Sequence, residues 1–258
     1  MIDLIEINPL FSGSPLTCLD ASQYGTLLLV DPEEEYFPEE IAKIKRDVDS
    51  GLSVVVFADW YNTTVMRKVR FYDENTRQWW MPETGGANVP ALNELLSVFQ
   101  IALGDRVFHG NFQWGDHSMY YASGTHIHTF PFDGLLLTAP LMDQGTQLLA
   151  AEAKETKAAE EVINVPILGL LQTKGHTYGN NLENVTVFNN QSLNIMKTAG
   201  RVVIYGDSNC LDSSHIEKAC FWMLDAILGY TSTGHLSKLF LDNNIPHREV
   251  NIIPSGTY

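Results

Sequence analysis

The residues best suited to chemistry in this chain follow a run of buried hydrophobic character in its last third. A Gly-Asp-Ser sequence ending at Ser208 comes directly after Arg201–Tyr205, and Asp212 and His215 follow within seven residues. A serine, a histidine base and a carboxylate that orients the base form a hydrolytic site if the serine oxygen lies about 3 Å from a histidine nitrogen. Ser208, Asp212 and His215 are therefore candidate catalytic residues.

A structural role explains the same residues more simply. Asp and Ser are preferred in turns and at helix N-caps, and Ser214 with Glu217 fits a capping box. His215 would then lie in the first turn of a helix and point to solvent. GDS-type esterases carry GDS at their first strand and Asp-x-x-His far downstream, whereas the two stand together here. The sequence favours a turn and a helix cap over a catalytic site.

Histidines in the middle of the chain are a second candidate site. His126 and His128 are two residues apart and would share one face of a strand, with His109 and His117 nearby. No cysteine or carboxylate stands at a fixed interval from them, so we predict surface or hydrogen-bonded histidines and no metal site. A Gly pair at Gly85 precedes a helix and could bind an anion, but a plain turn is the simpler interpretation. We predict no cofactor.

The composition excludes several classes of function. The chain has 258 residues, of which 45% are hydrophobic and 18% charged, as in ordinary folded proteins. Its net charge of -15 argues against nucleic-acid binding, which needs a basic face. We expect no membrane span and no signal peptide in this chain, since it has neither a long apolar run nor a basic start. Cys18, Cys210 and Cys220 are an odd number, so at least one is unpaired, and the sequence does not reveal the pairing.

Alternating strand and helix patterns predict an α/β fold. Apolar runs predict strands at Gly25–Val30, Leu52–Phe57 and Arg201–Tyr205, with a helix at Pro38–Asp49 between the first two. A strand, helix and strand joined by short links form a βαβ unit, which requires parallel strands. A second helix is expected after Arg201–Tyr205 and is predicted to end at Gly229. We predict a flavodoxin-like, mainly parallel sheet that contains all three strands.

The middle of the chain differs from its two ends. Short aromatic and aliphatic runs separated by Gly, Asn, Asp and Pro predict a β-rich insertion, with helices at Pro90–Leu103 and Leu148–Val162. The predicted division is 1–59 and 163–234 for the two flavodoxin-like halves, 60–162 for the insertion, 176–198 for a polar insertion loop and 235–258 for an unpatterned tail.

Long stretches of the chain resemble one protease family. The stretches are Thr17–Leu28, Asp31–Asp59, Phe57–Val98, Met119–Gly124, Asn164–Leu170 and YGDSNCLDSSH from Tyr205. They closely resemble site-1 proteases, which are subtilisin-type serine endopeptidases that process membrane-bound transcription factors in the secretory pathway. The resemblance covers most of Leu10–Gly234. It implies the lumenal region that follows the catalytic domain, because the triad motifs of that domain are absent from this chain.

The resemblance implies a non-catalytic accessory region that is inactive alone. Its implied partners are the upstream protease domain of the same polypeptide and a lumenal protein. The implied setting is the lumen of the endoplasmic reticulum and Golgi, where Asn62, Asn184 and Asn190 are candidates for glycosylation because each begins a sequon. Two alternatives remain: an independent GDS-type hydrolase that uses Ser208 and His215, and a flavodoxin-like module that binds a small ligand.

Overall fold

The computed structural model describes residues 4–6, 16–82, 84–144, 162–174, 199–212 and 218–241. Its strands are β1 (Leu4–Glu6), β2 (Thr26–Val30), β3 (Ser53–Phe57), β4 (Phe71–Asp73), β5 (Gln78–Trp80), β6 (Ala102–Leu103), β7 (Phe108–Trp114), β8 (His117–Gly124), β9 (Ile127–Thr129), β10 (Leu135–Asp143), β11 (Val162–Gln172) and β12 (Arg201–Tyr205). Its α-helices are α1 (Pro38–Asp49), α2 (Thr63–Lys68), α3 (Val89–Ser97), α4 (Phe221–Thr233) and α5 (Lys238–Leu241).

Eight of these strands form one sheet in the order β1-β2-β3-β12-β11-β10-β7-β8. Strands β1, β2, β3 and β12 are mutually parallel, and Val54 of β3 lies opposite both Leu27 and Val202. The predicted α/β class is therefore confirmed. The three strands predicted to share a sheet are neighbours at its centre.

The other half of the sheet is antiparallel. Strand β11 pairs with β12 and β10, and β7 pairs with β10 and β8. The turn between β7 and β8 consists of Gly115 and Asp116, and such a short connection permits only antiparallel neighbours. Strands β7, β8 and β10, which come from the middle of the chain, thus extend the central sheet.

Helices cover both faces of the sheet. On one face, side chains of α1 and α3, including Val48 and Leu95, pack against Val54 and Val202. On the opposite face, Met223 and Ile227 of α4 belong to the same cluster as Val55 and Val203. Because both faces of β3 and β12 are covered, side chains that point to either face must be apolar. This requirement explains the consecutive apolar residues of these strands.

The predicted helix bounds hold for α1 but not for α3. Helix α1 occupies Pro38–Asp49 as predicted, and the Glu40 carboxylate accepts hydrogen bonds from the Phe37 and Leu16 backbone N–H groups at 3.0 and 2.9 Å. Helix α3 ends at Ser97, six residues before the predicted end at Leu103. Gln100 adopts φ 61, a left-handed conformation that ends the helical path.

The last long helix begins and ends later than the sequence predicts. Helix α4 starts at Phe221 and continues through Gly229 to Thr233, so the predicted end at Gly229 is wrong. Gly234 ends the helix instead, with φ 78 and a backbone N–H that donates to the Tyr230 carbonyl.

Several predictions concern residues outside the described part of the chain. These are the cap residues Ser214 and Glu217, the polar loop 176–198, all but the last residue of the helix predicted at Leu148–Val162, and the tail beyond Leu241. Within the described part, no helix has the length and apolar character that a membrane crossing requires.

Candidate functional site

Three aspartates mark the carboxyl edge of the parallel half of the sheet. Asp31, Asp59 and Asp207 follow β2, β3 and β12 by one or two residues. Because these strands are parallel neighbours, their carboxyl ends meet at one edge, which is where open α/β sheets bind ligands. Asp59 and Asp207 are buried, and Asp31 is partly buried. We call these residues, with Ser208, Asn209 and Ser123, the aspartate cluster.

Asp207 holds the turn after β12 and ties it to β8. Its carboxylate accepts hydrogen bonds from the Asn209 backbone N–H at 3.1 Å and from the Asn209 side-chain amide at 2.8 Å. The other carboxylate oxygen accepts from the Ala122 N–H at 2.8 Å. Through these contacts Asp207 stabilises the turn and links it to β8.

Asp59 lies at the centre of the cluster. Its Oδ1 accepts from the Trp60 N–H at 2.7 Å and from the Ser123 hydroxyl at 3.4 Å, while its Oδ2 accepts from the Asn209 amide at 3.1 Å. A Cβ on Gly86 would lie 2.4 Å from Asp59 Oδ2, so only glycine fits there. The Gly pair considered as an anion site therefore lies against a carboxylate.

Burial makes these carboxyl groups hard to ionise. Burial, together with the nearby charges of Asp207 and Asp31, raises the pKa of Asp59 to about 8. Burial also raises the pKa of Asp31 to about 6, although a hydrogen bond from Ser208 acts in the opposite direction. The Oδ1 atom of Asp31 is buried without a hydrogen-bond partner among the described residues. Near neutral pH, a pKa of about 8 favours the protonated, uncharged form of Asp59.

The predicted catalytic residues do not share one environment. Ser208 is 5% exposed, and its hydroxyl lies near enough to Asp31 to act on the pKa of that carboxyl group. Asp212 is exposed at the end of the 3-10 turn Asn209–Leu211. His215 lies outside the described residues. The serine thus contacts an aspartate that the sequence interpretation did not include.

The cysteine two residues after Ser208 is part of a disulfide bond. Cys210 and Cys220 form a disulfide, and both are buried. Cys18 is free and exposed. The disulfide joins the turn that carries the aspartate cluster to the start of α4, since Cys220 immediately precedes Phe221.

Comparison with known proteins identifies the family. The family model of MBTPS1, fourth GATase-like domain, matches residues 9–245.

The chain belongs to this family.

Named relatives agree with this assignment. Membrane-bound transcription factor site-1 protease is 57% identical over 86% of this chain in both Homo sapiens and Mus musculus. Subtilisin-like protease SBT6.1 of Arabidopsis thaliana is 47% identical over the same share. The chain spans only 18% of the length of the two mammalian relatives and 19% of that of the plant relative. The resemblance to site-1 proteases is therefore confirmed for one domain of a longer polypeptide.

One solved structure is similar in outline. The mmIFT52 N-terminal domain covers 83% of this chain, and the chain covers 80% of it, with a TM-score of 0.47 and 12% sequence identity. This likeness is too distant to bear on function.

The histidines considered above as a metal site do not form one group in this GATase-like domain. His126 and His128 lie close together, whereas His117 stacks on a tryptophan. His126 and His128 have ring centroids 5.9 Å apart and line a cavity of about 600 Å³, together with Tyr61, Asn93 and Arg106. Burial lowers the pKa of His126 to about 4, and its Nδ1 has no partner in the described part of the chain. His117 stacks on Trp222 at 3.9 Å. No group of three potential metal-binding side chains occurs among the described residues.

Sequence reasoning named Asp207 and Ser208 but missed Asp31, Asp59 and Asn209. The signal was present: an aspartate follows each predicted parallel strand within two residues of its end. Open α/β sheets bind ligands at the carboxyl ends of their parallel strands. Considering the residues after each predicted parallel strand, and not only the GDS turn, would have predicted this cluster.

Proposed function

We propose that this domain is a non-catalytic accessory unit of a site-1-type protease, which folds beside the protease domain of the same polypeptide. The observation that carries the proposal is the hydrogen bonding of the polar side chains at the carboxyl edge of the sheet. Polar side chains that a catalyst would aim at a substrate are bonded here to one another and to the backbone. Such bonding supports a structural role for this edge of the sheet.

Both nucleophile candidates at this edge are buried. A serine nucleophile must reach its substrate as well as a base, and Ser208 is 5% exposed and lies near the partly buried Asp31. A cysteine needs a free thiolate, and Cys210 is bonded to Cys220. The matched family is described as GATase-like, whereas its relatives are named as subtilisin-like or site-1 proteases. These points support a domain that accompanies the protease without performing the cleavage.

The proposed setting is the lumen of the endoplasmic reticulum and Golgi. A buried disulfide supports an oxidising compartment, because disulfides are rare in the reducing cytosol. The mammalian relatives are named as proteases of a membrane-bound transcription factor, and a substrate in a membrane agrees with a secretory route. The proposed partners are the protease domain and a further lumenal protein.

The purified chain is expected to hydrolyse neither peptides nor a fluorogenic ester, and to resist a fluorophosphonate probe. The reason is the burial of Ser208, which is 5% exposed. The measurement compares labelling of the unmodified chain with that of Ser208→Ala and of Ser232→Ala, an exposed serine on α4 that serves as the matched control. Labelling that disappears only in Ser208→Ala would establish the alternative hydrolase.

Asn62 is expected to carry a glycan when the chain is directed to the secretory pathway. Its Oδ1 caps α2 by accepting from the Thr64 and Val65 N–H groups, both at 2.9 Å, and its Nδ2 donates to the Asp105 carbonyl. Changing Asn62 itself would remove the cap, worth about 1 kcal/mol. Thr64→Ala abolishes the sequon and keeps the cap, whereas Thr63→Ala keeps both.

Glycosidase treatment followed by mass measurement tests this site. We expect one glycan fewer in Thr64→Ala than in the unmodified chain or in Thr63→Ala. The other sequons, at Asn184 and Asn190, are the same in all three proteins and cancel in the comparison. Equal glycan masses for Thr64→Ala and Thr63→Ala would show that Asn62 is not used.

A further inference from the structure

The hairpin formed by β4 and β5 exposes an unusual amount of apolar surface. Six large side chains within residues 69–81, which we call the aromatic hairpin, have between 42% and 64% of their surface exposed: Val69, Phe71, Tyr72, Trp79, Trp80 and Met81. At roughly 100 Å² each, they expose on the order of 600 Å² in total, divided between the two faces of the hairpin because Phe71 pairs with Trp80 and Tyr72 with Trp79. Single exposed hydrophobic residues are ordinary, but a short hairpin that exposes large apolar side chains on both faces marks an interaction site.

The aromatic hairpin is held in shape by its own contacts. Among the described strands, its two strands pair only with each other and not with the central sheet. Tyr72 lies opposite Trp79 with ring centroids 5.6 Å apart, and Arg70 lies 5.1 Å from the centroid of the Trp79 ring. The Trp80 indole N–H donates to the Thr76 hydroxyl at 2.9 Å. A two-stranded hairpin is marginal alone, so these contacts prepare a surface that a partner would stabilise further.

The charge of the hairpin is opposite to that of the rest of the domain. Residues 67–82 contain Arg67, Lys68, Arg70 and Arg77 against Asp73 and Glu74, a net charge of +2. The remainder of the chain therefore carries -17, since the total is -15. This remainder repels both anionic lipid and a second copy of the domain. A partner that presents acidic residues around an apolar centre complements the hairpin itself.

Most of the polypeptide that would supply such a partner lies outside this chain. The domain spans 18% of the length of its mammalian relatives. Covalent linkage gives neighbouring domains a high effective concentration, so even a modest apolar contact is occupied within one polypeptide.

We propose that the aromatic hairpin docks onto an acidic, apolar surface of a neighbouring domain in the longer protease polypeptide. The proposal rests on the accessory role proposed above and assigns the surface through which that role is performed. Trp79 on one face of the hairpin, with Phe71 and Trp80 on the other, supplies the apolar part of the contact, and Arg67 and Arg70 form its basic rim.

Hydroxyl-radical footprinting tests the docking, with the 258-residue chain compared against the full protease polypeptide that carries this domain. We expect oxidation of Trp79, Trp80 and Met81 to be slower by about fivefold or more in the full polypeptide, because docking excludes water from them. Phe132, which is exposed outside the hairpin, is the internal reference. Arg67→Glu combined with Arg70→Glu should restore fast oxidation in the full polypeptide. Lys238→Glu, at an exposed position on α5, should not.

Each remaining outcome overturns the proposal in a distinct way. Equal oxidation in the short chain and the full polypeptide would show that no domain covers the hairpin. Protection that needs added phosphatidylcholine and phosphatidylserine vesicles would assign the surface to lipid. Protection of the short chain that rises with its own concentration would assign it to a second copy. Fluorophosphonate labelling at Ser208 would overturn the accessory role without changing the footprint, so the two failures are distinguishable.

Discussion

Replacing Asp59 with asparagine is expected to flatten the pH dependence of stability between pH 6.5 and 8. Burial raises the pKa of Asp59 to about 8 in the folded domain, against an ordinary value of 3.8. From pH 4 to 8 the unfolded chain has released this proton while the folded domain still holds it. The free energy of unfolding therefore falls as pH rises, by up to about 1.4 kcal/mol per pH unit, and the loss is complete above the folded pKa.

The window from pH 6.5 to 8 isolates Asp59 from two other shifted groups. Ionisation of Asp31, whose pKa is raised to about 6, also lowers the free energy of unfolding as pH rises. This decrease is complete once the pH exceeds about 6. His126 acts in the opposite sense. Its pKa is lowered from 6.5 to about 4, so stability rises with pH between these values and is constant above them. Within the window, Asp59 should account for a decline of about 2 kcal/mol.

Urea unfolding at several pH values in this window measures the effect. Asp59→Asn removes the titration and keeps one oxygen to accept from the Trp60 N–H. Asp116→Asn, an exposed residue in the β7–β8 turn, is the matched control and should retain the decline. If Asp59→Asn loses stability with pH as steeply as the unmodified domain, then Asp59 is not protonated in the fold.

The centre of the fold could be predicted because local pattern and burial agree there. Strands β2, β3 and β12 have apolar residues at every position after the first, and only a sheet covered on both faces needs such a run. Helix α1 has a proline at its first position and acidic residues in its first turn, signals that depend on near neighbours alone.

The antiparallel half of the sheet could not be predicted from such signals. Strands β7 and β8 alternate buried and exposed residues, which indicates a strand but not its partner. Pairing of β10 with both β7 and β11 depends on contacts between distant parts of the chain. The sequence therefore predicts a β-rich middle segment without indicating that its strands extend the central sheet.

The end of α4 shows why a glycine alone is an ambiguous signal. A Cβ at Gly229 would meet nothing within 4 Å, so this glycine simply occupies a helix interior at a cost of about 1 kcal/mol. Gly234 adopts φ 78, where a side chain would be strained. Only the backbone conformation distinguishes Gly229, inside the helix, from Gly234, which ends it.

The candidate site was only partly predictable for a related reason. Asp207 and Ser208 were recognised because they stand in one turn. Asp59 and Asn209 contact each other at 3.1 Å across 150 residues of sequence, and no local pattern links them. The order of parallel strands is what brings their side chains together.

Removal of the Cys210–Cys220 disulfide is expected to lower the free energy of unfolding by about 3 kcal/mol. The two cysteines are ten residues apart, and closing a loop of this length restricts the unfolded chain by about that amount. The folded domain also depends on the bond, because it joins the turn of Asp207 and Asn209 to α4. Both sulfur atoms belong to buried residues, so alanine is the replacement that leaves no unpaired polar group.

Thermal and urea unfolding of the double variant Cys210→Ala and Cys220→Ala tests this expectation. At roughly 2–4 °C per kcal/mol for a domain of this size, the midpoint temperature should fall by about 6–12 °C. Cys18→Ala is the matched control and should unfold like the unmodified domain, since Cys18 is free and exposed. Dithiothreitol should destabilise the unmodified domain and Cys18→Ala but not the double variant. A double variant as stable as Cys18→Ala would show that the disulfide does not hold this turn to α4.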